Sequence, residues 1–216
     1  MTDRWTYELI SGDSPSSVIV NSPVSRLVVD VERFYDDSKE IMASIGMGAI
    51  YTATHSLGLL RRPISAAERQ LILETWYHPH HEKLTDAVEI ALEQHGKALI
   101  FDIHSYPKQM LPYEINGDGK RPEICIGTDD FHTSERLTKI ACSAFESIGF
   151  EVGLNSPFKG SLVPAKHYCE DPRVSSLMIE IRRDLYMDEK TGLPLEQFSI
   201  FSENLHKAVS GITAQF

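Results

Sequence analysis

The chain has 216 residues, of which 42% are hydrophobic and 24% charged, and its formal net charge is −10. A chain of this length can bury one sizeable core, so we expect a single domain over residues 1–216. The acidic balance argues against nucleic-acid binding, which draws on clustered Lys and Arg. No apolar stretch approaches the roughly 20 residues that span a bilayer, and no signal-peptide core follows the N-terminus, so we expect a soluble cytoplasmic protein without a membrane partner.

In chain order, the first predicted elements are two strands and a long helix. Short apolar runs at 17–20 and 27–31 indicate the strands. Residues 64–94 follow a helical pattern that we expect Pro79 to interrupt. Ser65, with Glu68 three residues later, has the form of an N-terminal capping box, and Gly96 ends the helix.

Beyond Gly96, strands and helices alternate. Apolar runs predict strands at 98–103, 123–127, 151–154 and 177–182. Helices are predicted at 133–148, capped by Thr133 or Ser134, and at 195–213. Residues 155–170 form a predicted loop that is long for a connection and could act as a lid. This alternation predicts an α/β layer fold.

The cysteines argue against a disulfide framework. There are three, Cys125, Cys142 and Cys169, an odd number without Cys-x-x-Cys spacing. Disulfide-stapled domains and zinc ribbons both need paired cysteines. We therefore expect free thiols.

The run at 98–103 delivers His104 and the hydroxyl of Ser105, a candidate for binding substrate, to the end of a buried strand. Catalytic groups of α/β folds concentrate at the carboxyl ends of such strands. Asp102 faces the same side as His104, because side chains two apart share a face, and it could orient the imidazole. The alternative is that His104 is a hydrogen-bonded core imidazole.

Glu180 is a lone carboxylate inside the apolar run 176–183. A buried carboxylate needs either a partner or a chemical task. It could serve as a general base. The alternative is a buried salt bridge to Arg182, Arg183 or Arg62.

Two histidine clusters have the residue types of metal sites. The run 78–82 holds three histidines and a glutamate, but Pro79 breaks the helical phase, so we expect a solvated surface run. His132 and Glu135 have His-x-x-Glu spacing, which can converge on one ion. Glu135 also stands where the first turn of a helix favours a carboxylate, and we favour the helix cap.

Two arginines flank the predicted strand at 27–31. Arg26 and Arg33 could clamp a substrate carboxylate through bidentate hydrogen bonds. Asp30 and Glu32 could instead absorb both positive charges.

Five segments together resemble the N-formylglutamate amidohydrolase family over about residues 18–190. They are 25–33 (Ser-Arg-Leu-Val-Val-Asp-Val-Glu-Arg), 77–81 (Tyr-His-Pro-His-His), 102–107 (Asp-Ile-His-Ser-Tyr-Pro), 155–160 (Asn-Ser-Pro-Phe-Lys-Gly) and 179–189, which begins Ile-Glu-Ile-Arg-Arg-Asp-Leu-Tyr. They occur in the order seen in that family. The resemblance implies a three-layer fold, with a mixed, mostly parallel sheet flanked by helices, similar to the zinc carboxypeptidases.

The resemblance also implies a reaction and roles for particular residues. His104 matches a zinc ligand, Glu180 matches the general base, and Arg33 matches the arginine that binds the substrate carboxylate. The implied activity is hydrolysis of an N-formyl or related N-acyl amino acid by a zinc-activated water, with a small carboxylate-bearing molecule as the partner.

The sequence departs from the family pattern in two places. The family's Pro-His-Ser-Gly loop, which supplies the first metal ligands, is replaced by Pro15-Ser16-Ser17, so Asp13, His55 or the pair His132 and Glu135 would have to complete the site. Glu32 stands where many members have Asn, and its charge would repel an acidic substrate.

Two hypotheses follow from these departures. One is a metal-dependent amidohydrolase. The other is a catalytically inactive relative with an incomplete metal site that binds a small molecule or a partner. Missing N-terminal strands would expose a sheet edge, and exposed edges invite pairing, so a homodimer is also expected.

Overall fold

The structure is a computed structural model that describes residues 2–12, 17–22, 24–112, 114, 119 and 121–216. The chain divides into two compact units. Unit 1 comprises Met1–Thr2, Val18–Ala87 and Leu111–Ile115, and unit 2 comprises Asp3–Ser17, Val88–Met110 and Asn116–Phe216. A single domain over residues 1–216 stays a prediction.

The helices and strands alternate through most of the chain. The α-helices are α1 (Thr6–Ile10), α2 (Ala66–Ile72), α3 (His78–His95), α4 (Glu135–Glu146) and α5 (Phe198–Gln215). The strands are β1 (Ala98–Tyr106), β2 (Ile124–Gly127), β3 (Val152–Leu154) and β4 (Val174–Arg182). Short 3₁₀ turns lie at Ile41–Ile45 and Arg183–Leu185, and a π-helical turn lies at Leu73–Tyr77.

Unit 2 contains a four-stranded sheet in the order β1-β4-β2-β3. β1 pairs with β4 in parallel, β2 pairs with β3 in parallel, and β2 pairs with β4 in antiparallel orientation. The sheet is therefore mixed and mostly parallel, and helices flank it. The predicted α/β fold class is confirmed.

The two faces of this sheet bury different helices. On one face, Leu177, Ile179 and Ile181 of β4 are fully buried with residues of α4 and α5. On the other face, Val88 and its neighbours on α3 pack against the amino-terminal residues of β1 and β4. Each buried aliphatic side chain contributes about 1.5–3 kcal/mol, so β4 lies at the centre of the unit's stability.

The predicted strands at 17–20 and 27–31 are wrong. Neither segment is in a strand, and residues 26–28 form a turn in which the Val28 N–H donates to the Ser25 carbonyl at 2.7 Å. The Asp30 N–H donates to the Ala49 carbonyl. Local turn bonds use the backbone groups that a sheet would have paired, and an apolar run alone does not distinguish the two outcomes.

The predicted helix at 64–94 is present, but Pro79 does not break it. Ser65 and Glu68 form the expected capping box. Ahead of Pro79 the chain widens into the π-turn, in which the His78 N–H donates to the Leu73 carbonyl, and α3 then continues to His95. Proline lacks an N–H and crowds the preceding turn, and a wider turn accommodates both effects.

The expectation of a solvated run at 78–82 is also wrong. His80 is only 5% exposed, and Tyr77 lies in the core of unit 1 with Val29 and Val31. The His81 Nε2 lies 3.0 Å from the Val31 carbonyl. Burial, together with the neighbouring His80, lowers the pKa of His81 to about 4. The segment is packed because the continuous helix turns these side chains inward.

We predict that unit 1 loses stability as the pH falls from about 7 towards 4. The pKa of His81 drops from 6.5 in the unfolded chain to about 4 on folding, so the unfolded state takes up the proton first. The contribution of neutral His81 is complete above pH ~6.5 and is lost as the pH approaches 4. At ~1.4 kcal/mol per pKa unit the full loss is roughly 3–3.5 kcal/mol.

Urea unfolding at about pH 7 and about pH 5, followed by Trp76 fluorescence in a Trp5→Phe chain, measures this loss. His81→Gln should flatten the pH dependence, and His55→Gln at an exposed position should leave it as in the parent. An unchanged pH dependence in His81→Gln would contradict the assignment.

Candidate active site

His104 and Glu180 face each other across the parallel pair β1 and β4. The register pairs His104 with Glu180 and Asp102 with Met178, and it pairs Cys125 of β2 with Glu180 from the other side. Residues paired in register lie on the same face, so Asp102, His104, Cys125 and Glu180 share one face of the sheet. They lie near the carboxyl ends of β1 and β4, where parallel strands open onto a cleft.

Two carboxylates hold the imidazole of His104. Its Nε2 lies 2.8 Å from Asp102 Oδ1, and its Nδ1 lies 3.6 Å from Asp3 Oδ2. The side chains of His104 and Asp102 are 13% and 9% exposed. The predicted proximity of Asp102 to His104 is therefore observed.

The loop at 155–170 packs against this face. The Leu162 N–H donates to Asp102 Oδ2 at 3.0 Å, and the Leu162 carbonyl accepts from the Ser176 hydroxyl at 2.7 Å. Val163 is buried. The middle of the predicted loop is thus anchored to the carboxylate that holds His104.

Asp102 and His104 are donors of the kind that zinc binds. Two ligands of a tetrahedral zinc ion, at bond lengths of ~2.0–2.1 Å, lie ~3.3 Å apart, which is close to the 2.8 Å between Asp102 Oδ1 and His104 Nε2. A catalytic zinc site takes three protein ligands, and this pair supplies two of them. Asp102 and His104 of unit 2 therefore fit part of the ligand set of a zinc ion.

Glu180 is 9% exposed, and the three arginines weighed as its partners each have another acceptor. Arg182 Nε lies 2.7 Å from Asp184, and Arg183 Nε donates to the Ser105 hydroxyl at 3.0 Å. Arg62 pairs with Glu68. Among the described residues, the structure therefore shows no salt bridge between Glu180 and any of these three arginines.

Cys125 is not a nucleophile in this arrangement. Burial raises the pKa of its thiol to about 11, and the charge of Glu180 adds to the shift. The thiol is consequently protonated at neutral pH, and its Sγ lies 3.4 Å from the Phe158 carbonyl. All three cysteines are free thiols, as expected.

Ser105 lies on the opposite face from His104, because adjacent residues of a strand alternate. It is 6% exposed, its N–H donates to Asp3 Oδ1 at 2.8 Å, and its carbonyl accepts from Arg183 Nη2. Its role in binding substrate stays a prediction. Asp3, which contacts both His104 and Ser105, was missed from the sequence, where an isolated aspartate about a hundred residues away carries no pattern.

Arg26 and Arg33 share one carboxylate in unit 1. Asp30 Oδ2 lies 3.9 Å from Arg26 Nη1 and 3.7 Å from Arg33 Nε, and it accepts a 2.5 Å hydrogen bond from the Tyr51 hydroxyl. Burial acts to lower the pKa of Arg33, but the charge of Asp30 outweighs it and the net direction is upward. Asp30 thus lies within ion-pairing distance of both guanidinium groups.

The pair His132 and Glu135 is not a metal site. His132 is 2% exposed, its Nδ1 lies 2.7 Å from the Val174 carbonyl, and its Nε2 accepts from the Cys169 N–H at 2.8 Å. Both ring nitrogens are therefore used. Glu135 opens α4 behind the cap Ser134, and its side chain is 94% exposed. Of the other ligands weighed, His55 belongs to unit 1 and Asp13 lies outside the described residues.

Comparison with known proteins identifies the family of the chain. The family model of N-formylglutamate amidohydrolase matches residues 1–187. The chain belongs to the N-formylglutamate amidohydrolase family. A family member from Pseudomonas putida, named N-formylglutamate deformylase, is 31% identical over 181 residues, and one from Pseudomonas aeruginosa with the same name is 30% identical over 179 residues.

The fold also matches solved structures. The N-formylglutamate amidohydrolase from Ralstonia eutropha superposes with a TM-score of 0.73 at 25% identity, covering 88% of this chain and 73% of that one. A gene product from Agrobacterium tumefaciens, at 20% identity and a TM-score of 0.60, shares the fold; the match covers 89% of this chain and 68% of that one.

The chain is shorter than its curated relatives. The matches cover 79% and 77% of this chain, but only 64% and 63% of the two Pseudomonas proteins. Within the described residues, no helix is long and apolar enough to cross a membrane. Location in the cytoplasm stays a prediction.

We predict that His132→Ala lowers the stability of unit 2 by roughly 2–4 kcal/mol, because it opens a cavity and leaves the Cys169 N–H and the Val174 carbonyl without their partner. Metal content should not change. Glu135→Gln, at an exposed position, should shift stability by less than about 0.5 kcal/mol. Urea unfolding and elemental analysis test both variants, and loss of metal in His132→Ala at retained fold would restore the metal-pair interpretation.

Proposed function

We propose that the chain is a metal-dependent amidohydrolase that cleaves the N-formyl, or a related N-acyl, group from an amino acid. The observation that carries the proposal is the register of His104 with Glu180 on one sheet face, with Asp102 2.8 Å from the imidazole. The relatives that the chain resembles are named for action on N-formylglutamate, and that compound is the first substrate to test.

In this proposal His104 and Asp102 hold a zinc ion. When bound, zinc would lower the pKa of a coordinated water towards ~7 and polarise the substrate carbonyl. Asp3 keeps the His104 ring in place from the Nδ1 side. The Leu162 N–H holds the other oxygen of Asp102, so that one oxygen remains directed at the His104 ring.

Glu180 moves the proton. Its carboxylate takes a proton from the attacking water as the new C–O bond forms at the acyl carbon. It then delivers that proton to the amide nitrogen as the C–N bond breaks. The products are the free amine of the amino acid and the acyl acid, which is formate for an N-formyl substrate. A positioned carboxylate of this kind contributes about 10²–10⁴-fold to the rate.

Arg33 and Arg26 are proposed to bind the substrate carboxylate. Arg33 Nε is buried and makes no hydrogen bond to any residue that the structure describes. Asp30 lies within ion-pairing distance of both guanidinium groups, and a substrate carboxylate would give the buried Arg33 Nε a hydrogen-bond acceptor. Glu32, next in the sequence to this group, is expected to weaken binding of a dianionic substrate relative to a monoanionic one.

The second candidate is a non-catalytic relative that binds a small molecule or pairs as a homodimer. The observation that favours it is the ligand set, because Asp102 and His104 are two donors where a catalytic zinc site takes three protein ligands. Metal stoichiometry separates the two candidates. One zinc per chain that depends on His104 supports the hydrolase, and no zinc supports the binding protein.

We predict that Glu180→Gln lowers kcat for N-formylglutamate about 10²–10⁴-fold while zinc is retained, because the base is lost but the ligands remain. His104→Ala should lose the zinc as well as the activity. Glu135→Gln is the matched control, since it neutralises an exposed carboxylate. Elemental analysis measures the zinc content of each variant, and turnover assays measure its activity. Full activity in Glu180→Gln would show that Glu180 is not the general base.

We predict that Arg33→Met raises KM roughly 10- to 100-fold, since a charged hydrogen bond to the substrate carboxylate is lost. KM for an uncharged N-formyl amide should be much less affected. Arg33→Lys keeps the positive charge but not the planar guanidinium group. Its KM for the charged substrate should lie between those of the wild type and Arg33→Met. An equal loss on both substrates would show that Arg33 supports the fold of unit 1 and not recognition.

A further inference from the structure

A surface cavity of about 760 Å³ in unit 2 lies between α3 and the segment 166–173. From α3 it is lined by Glu89 and Glu93, and from the segment by Lys166, His167, Glu170 and Asp171 among others. None of these residues has a role in the proposed hydrolysis. The cavity brings carboxylates and an imidazole together from two separate parts of unit 2.

His167 is buried, and its Nε2 makes no hydrogen bond to any described residue. The residue is 7% exposed. Its Nε2 lies 3.9 Å from Glu89 Oε1, beyond hydrogen-bonding distance, and has no hydrogen-bond partner among the residues that the structure describes. A buried ring nitrogen without a partner costs free energy, and a ligand in the cavity would remove that cost.

Asp171 lies on the Nδ1 side of the His167 ring. Its Oδ2 lies 3.9 Å from Nδ1, and the bidentate contact with Arg173, at 3.0 and 2.7 Å, holds the carboxylate in place. The imidazole therefore lies between two carboxylates, Glu89 on the Nε2 side and Asp171 on the Nδ1 side, at 3.9 Å each.

The charge of the cavity favours a cation. Four carboxylates and two basic side chains line it, which gives a formal charge of −2 with His167 neutral. Lys166 pairs with Glu89 and holds the pKa of that carboxyl below its usual value. Glu93 and Glu170 make no ion pair within the described part of the chain, so their carboxylates are available to a ligand.

We propose that this cavity binds a divalent cation of the zinc class through His167 Nε2 and Glu89, with Glu93 or Glu170 completing the ligand set. A zinc ion between an imidazole nitrogen and a carboxylate oxygen brings them to ~3.3 Å, so the observed 3.9 Å closes by roughly 0.6 Å. Asp171 then orients the ring from the Nδ1 side, as outer carboxylates do at zinc sites. The site is distinct from His104 and does not depend on the proposed hydrolysis.

Zinc binding to the whole chain, measured by equilibrium dialysis, tests the proposal. The chain carrying His104→Ala should still bind one zinc, and His167→Asn added to it should abolish that binding. Asp171→Asn should weaken it about 10- to 100-fold. His95→Asn removes an exposed histidine from α3, the helix that lines the cavity. It is the matched control and should leave zinc binding unchanged.

The outcomes separate this site from the proposed active site. Two zinc ions in the wild type, falling to one in either single histidine variant, support both sites. One zinc that is lost only in His167→Asn supports the cavity alone. Zinc binding that survives His167→Asn, or that His95→Asn removes equally, overturns the proposal. If His167→Asn does not fold, a chain that combines the exposed substitutions Glu93→Gln and Glu170→Gln provides the test. Unchanged zinc affinity in that chain also overturns the proposal.

Discussion

The parallel pairing of β1 with β4 is the constraint on which the rest of unit 2 depends. Nine residues of each strand are in register, from Ala98 with Val174 to Tyr106 with Arg182. This one alignment buries Leu177, Ile179 and Ile181 against α4 and α5 and, through the alternation of a strand, turns Glu180 to the other face. A shift of one residue would exchange the two faces. The hydrophobic core and the candidate site therefore have the same structural origin.

Polar groups at the centre of a sheet are tolerated here because their neighbours engage them. Asp102 contacts the His104 ring and the Leu162 N–H, and Asp3 contacts both the ring and the backbone of Ser105. Each contact fixes a side-chain angle at a position where solvent is largely excluded. Such a group is held ready for chemistry without reorganisation, which is the property that catalytic electrostatics requires.

Each of the two compact units contains candidate residues. Unit 2 holds the imidazole and the carboxylate assigned to the hydrolytic step, and unit 1 holds the two arginines assigned to the substrate carboxylate. Within unit 1 the arginines gather around a buried carboxylate, Asp30, whose remaining bonds come from Tyr51 and the backbone of Glu32. The same unit keeps His81 neutral by burial, so its stability responds to acid.

The sequence by itself determined the family, the α/β class, the strand that carries His104, and the capping box at Ser65, because each of these is written in local patterns of adjacent residues. It also placed Asp102 and His104 on one side of a strand. Only the tertiary structure decided that residues 27–31 are not a strand, that His80 is buried, that both ring nitrogens of His132 contact backbone groups, and that Asp3 lies near His104. Those outcomes depend on contacts between residues far apart in the chain, whose partners no local pattern specifies, and burial is a property of the packed fold and not of the residue.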